Sequence, residues 1–140
     1  MKKIFFTALA VIFCAISFAA DNWKTCFKNN EVEILYQYSD CHDEHNGIHQ
    51  QKVLLKFINS SNEKKEITFG RDLTYNTDGN INSLTGDVKL FSIQLQPNET
   101  KEGLCSDTDK ALFIFSKQLN FKSSELGKFE LKNISVKTIQ

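Results

Sequence analysis

All three histidines of the chain fall in one stretch, Cys41-His42-Asp43-Glu44-His45-Asn46-Gly47-Ile48-His49, beside two further acids and a cysteine. Imidazole and carboxylate ligands of this kind hold zinc or copper. The candidate set is His42, His45 and His49 with Asp43 or Glu44, and Zn or Cu is the ion it would take. The stretch lacks CxxC or HExxH spacing, and Asn46-Gly47 marks a turn because both residues tolerate positive φ. The competing expectation is therefore a solvated turn whose cysteine is disulfide-bonded. A second polar stretch, Asp78-Gly79-Asn80-Ile81-Asn82, alternates oxygen ligands as calcium loops do. Ser83 stands where an EF-hand has glycine, however, and Lys89 where it has a bidentate acid.

No nucleophile accompanies these groups. There is no GxSxG, no phosphate loop and no paired-carboxylate signature, and Cys41 and His42, as strand neighbours, point to opposite faces. The sequence thus selects no activity, and a non-enzymatic protein is expected.

The chain of 140 residues opens with Lys2 and Lys3, an apolar run from Ile4 to Phe18, and Ala19-Ala20 before Asp21. These are the three regions of a secretory signal peptide. We read residues 1–20 as the signal, cleaved after Ala19 or Ala20, and 21–140 as one domain. Acylation of Cys14 is the lesser reading, because bulky Phe13 precedes it and the apolar run continues beyond it. The apolar run is also shorter than the roughly 20 residues of a membrane span, so no span is expected after cleavage. A secreted or periplasmic location follows.

Acidic and basic residues number 17 each, and removing a leader with two lysines and no acid leaves 15 basic against 17 acidic. With Arg71 as the one arginine and no basic stripe, a nucleic-acid partner is excluded. Export puts Cys26, Cys41 and Cys105 in an oxidising compartment, where three single pairings are open. Cys41 with Cys105 is favoured, each lying in a polar connection beside a strand end. Cys26 is then buried or pairs between chains.

The elements that would position these groups are strands. Val32, Ile34, Tyr36 and Tyr38 alternate in one half-buried strand. The run His49 to Tyr75 reads as a central hairpin: a first strand apolar on both faces, a turn at 59–63, and a second strand with Ile67, Phe69, Leu73 and Tyr75 inward. Arg71 breaks that inward face, which suggests a bulge at Gly70. The hairpin would put the 41–49 loop and the 76–87 loop at one end of the domain. Strands follow at 88–95, 111–115 and 129–139, the last with a bulge near Asn133, and a helical turn is permitted at 123–126. Without a long helix or repeats, the expected fold is an antiparallel, immunoglobulin-like β-sandwich of about six or seven strands, with a small barrel as the alternative.

Trp23, Cys26, YQYSDC at 36–41, NGI at 46–48, VLLKFIN at 53–59, LQPNETKEGLC at 95–105 and the terminal FELKNISV together resemble small exported bacterial proteins of uncharacterised function. The likeness covers most of the chain after the leader. It implies a secreted all-β domain and carries no catalytic residue across. Such proteins often have a further cysteine pair in the loop after the second hairpin strand, where 76–87 has none, so no pairing is transferred. The expected role is binding or structural support in the envelope or outside the cell, with an unknown protein or envelope partner. A metal-binding periplasmic protein using the 41–49 loop is the alternative.

Overall fold

The computed structural model describes residues 22–84 and 89–140; residues 1–21, with the expected leader and Cys14, and residues 85–88, at the junction of the expected 76–87 loop and 88–95 strand, lie outside them. Among the described residues the regular structure is entirely β. The strands are β1 (Lys24–Lys28), β2 (Val32–Asp43), β3 (Ile48–Asn59), β4 (Lys65–Thr77) and β5 (Asn80–Leu84), then β6 (Phe91–Leu95), β7 (Thr100–Glu102), β8 (Phe113–Gln118) and β9 (Glu125–Thr138). They form two antiparallel sheets. In one, β1-β2-β3 is continued along the far side of β3 by β7 and β8; in the other, central β4 has β9 along its length and β5 and β6 sharing its other side. The arrangement is sandwich-like, and the described residues form nine strands instead of six or seven.

The expected central hairpin does not exist. β3 and β4 belong to different sheets and pack face to face, with the rings of Phe57 and Phe69 5.5 Å apart. Apolar alternation states that two strands share a core, and edge pairing and face packing both satisfy it. The corner between them is built by buried Asn59. Its Nδ2 donates to the carbonyls of Glu63 and Gln96, and its Oδ1 accepts from the amide and hydroxyl of Ser61. These bonds carry the chain from one sheet to the other.

The core follows the alternation. Val53, Leu55 and Phe57 of β3, Ile67 and Phe69 of β4, Val32 and Ile34 of β2, and Ile93 and Leu95 of β6 are all buried. Lys52 and Leu54 on the opposite face of β3 are buried too, as a strand covered on both sides requires. Tyr36 meets Phe129 edge to face at 5.0 Å across the sheets.

Three local expectations are revised. No bulge breaks β4 at Gly70. The extra residue lies on β9, where two residues oppose Phe69 and Asn133 takes φ 50°, so the bulge near Asn133 is present. Arg71 accordingly keeps its inward parity, and its guanidinium crosses to the other sheet's connection. In the described part of the expected 76–87 loop, Asp78 (φ 48°) and Gly79 (φ 85°) turn β4 into β5 as a two-residue hairpin, which Asp-Gly chemistry favours. No helical turn occurs at 123–126. Ser123 Oγ instead accepts from the Gln118 amide and closes the turn into β9.

Between β7 and β8 the chain leaves the sheet for a short excursion, Gly103 to Leu112. Both strands pair with β3, and the excursion closes where Leu55 donates to the Leu112 carbonyl (2.9 Å) and accepts from the Gly103 amide (2.8 Å). A Cβ on Gly103 would overlap that Leu112 carbonyl, so only glycine lets the two ends of the excursion meet.

Candidate functional site

β2 and β3 extend past the core as a two-stranded ribbon, and its tip carries the cysteine-histidine stretch. Their register pairs Cys41 with Gln50, His42 with His49 and Asp43 with Ile48. Only residues 44–47 remain in the turn, with Gly47 at φ 63°. Much of the expected loop is therefore strand. A tight Asn-Gly turn would have set a different register; the four-residue turn is what brings the two histidines opposite each other.

Opposed positions on an antiparallel pair have Cβ atoms close enough for both side chains to reach one point. The Nδ1 atoms of His42 and His49 stand 2.9 Å apart, and Glu44 Oε2 lies 4.0 Å from His49 Nε2. One ligand atom from each of His42, Glu44 and His49 can be chosen within 4.8 Å of the others. The candidate set is thus divided. His45 and Asp43 are outside this group. Asp43 serves the turn, accepting from Asn46 Nδ2 (2.7 Å) and from the Asn46 amide (3.2 Å), and these bonds lower its pKa. Asp78 of the calcium-like stretch faces Lys122 across an ion pair.

On the other face of the ribbon, Cys41 and Cys105 are joined, with Cα atoms 5.3 Å apart. This is the pair favoured from sequence. It fastens the Gly103–Leu112 excursion over the sheet. Buried Lys52 adds a second tie: its Nζ donates to the Cys105 carbonyl (2.8 Å) and lies 4.1 Å from the centre of the Phe113 ring. Desolvation lowers the Lys52 pKa. Between the ribbon tip and the excursion lies an open cleft of about 600 Å³, whose lining includes His42, Asp43, Glu44, Lys52, Ser106 and Asp107. Lys52 and Asp107 escape a motif search because one reads as a solvated strand residue and the other as a turn former.

Among the described residues Cys26 is the unpaired cysteine, and it is exposed instead of buried. It sits at the bulge of edge strand β1, its sulfur hydrogen-bonded to the Ile34 carbonyl (3.3 Å), and desolvation pushes its thiol up to about 11. It is a neutral thiol at neutral pH, unsuited to nucleophilic work. No helix among the described residues is long and apolar enough to cross a membrane.

The fold and cleft define the class as a two-sheet antiparallel β protein with a disulfide-fastened loop. Comparison with family models, with curated proteins and with solved structures yields no match.

Proposed function

We propose that the chain is an exported, non-enzymatic protein with an immunoglobulin-like sandwich, which acts by binding a partner in the cell envelope or outside the cell through the cleft beside the ribbon tip. The observation that carries this reading is the double fastening of the excursion: the Cys41–Cys105 bond and the Lys52 tie hold one wall of the cleft against the sheet. A preorganised wall loses little freedom on binding. The disulfide is also compatible with the oxidising compartment that the leader implies.

The test has two parts. Fractionation followed by N-terminal sequencing should find the chain exported and beginning at Ala20 or Asp21. A photo-crosslinker at Asp107 should then capture one discrete envelope or extracellular species, while the same probe at Ser60, on the corner between the sheets, should not. An intact leader in the cytoplasm, or equal capture from both positions, would sink the proposal.

A further inference from the structure

We propose that His42, Glu44 and His49 bind a single divalent transition-metal ion, with Cu²⁺ preferred to Zn²⁺. The pairing of His42 with His49 aims two imidazoles at one point from rigid, hydrogen-bonded strands instead of a loop. The 2.9 Å between the two Nδ1 atoms is that of a hydrogen bond between the rings, so an ion held by both imidazoles would take the place of the shared proton. Copper is preferred because it stands above zinc in intrinsic affinity for nitrogen and oxygen donors. Glu44, one turn-residue beyond the strand, supplies the carboxylate; the Cys41 thiolate is consumed in the disulfide and cannot compete. Calcium and magnesium are poor candidates, since both want an all-oxygen shell.

The inference goes beyond the binding role above and does not depend on it, because the ion is titrated into the isolated chain. The exported chain, purified without a histidine tag, is titrated with CuSO₄ and separately with ZnCl₂, against a chelator of known affinity. One equivalent of Cu²⁺ is expected, bound at least about tenfold more tightly than Zn²⁺, with a tetragonal Cu²⁺ electron paramagnetic resonance spectrum showing nitrogen coupling. His42→Ala and His49→Ala should each weaken copper by at least about 100-fold and Glu44→Gln by about tenfold, while His45→Ala leaves it unchanged. The substituted histidines lie at the ribbon tip outside the core, so an unchanged thermal melt checks that the variants are folded. Absence of stoichiometric copper, equal or tighter zinc, or wild-type affinity in the His42→Ala/His49→Ala pair would overturn the assignment. Partner capture from Asp107 by that same double variant separates the ion site from the cleft's binding role.

Discussion

Arg71 places a guanidinium where alternation calls for an apolar side chain. Its Nη1 donates to the Phe113 carbonyl (3.1 Å) and its Nη2 to the Lys110 carbonyl (2.5 Å), and its Cζ lies 4.0 Å from the centre of the Phe91 ring. Desolvation lowers its pKa to about 10, which still leaves it charged at neutral pH. The residue therefore ties the β4 sheet to the base of the excursion on the other sheet. We expect Arg71→Met to destabilise the fold by about 1–3 kcal/mol, because two carbonyls lose their donor while the apolar stem is kept. The shift in the urea unfolding midpoint measures this; an unchanged midpoint would show that water replaces the guanidinium. The sequence exposed Arg71 as an anomaly without explaining it, since its partners lie some forty residues away.

Lys65 and Gly103 act at the scale of elements. Lys65 begins β4 almost fully buried, its Nζ bonded to Glu31 (2.7 Å), Glu63 (3.0 Å) and Thr138 Oγ1 (2.8 Å), so it joins β4 to the loop before β2, to its own corner and to the end of β9. The hydrogen bond to Glu31 leads in raising the Lys65 pKa, and that from Lys65 leads in lowering that of Glu63. For Glu63, with a folded pKa below the ordinary 4.5, the stabilisation is present above 4.5 and is lost as pH falls through the folded value. For Lys65, with a folded pKa above 10.5, it is present below 10.5 and is lost as pH rises through the folded value. Lys65→Met should therefore flatten the acid limb of a stability–pH curve and remove part of the alkaline loss. Identical limbs in the two proteins would refute this. Gly103→Ala should cost about 1–3 kcal/mol through overlap with the Leu112 carbonyl, measured by the same denaturation, whereas alanine at Gly47 meets no neighbour and is penalised by its φ of 63° alone.

At the scale of the whole molecule, the Cys41–Cys105 bond closes a loop with a sequence separation of 64. On the chain-entropy account it stabilises the fold by about 4 kcal/mol. Cys41→Ala/Cys105→Ala should lose most of that in equilibrium unfolding, and a loss under about 1 kcal/mol would mean that Lys52 and the Leu55 bonds suffice to hold the excursion. Leu55 and Phe57 are fully buried, and Phe57→Asp should abolish the cooperative melt. A retained melt would contradict their place in the core.

The sequence by itself determined what depends on neighbours in the chain: the β character of the described residues, the inward faces of β2, β3, β4 and β6, and the bulge at Asn133. Each follows from period-two alternation or from a change of parity. Tertiary structure alone decided which strands share an edge, because face packing of β3 on β4 and a hairpin between them bury the same side chains. It also decided the site. The difference between three histidines in a solvated loop and two imidazoles with their Nδ1 atoms 2.9 Å apart is the register of one ribbon, set by a four-residue turn and by pairing along the full length of β2 and β3.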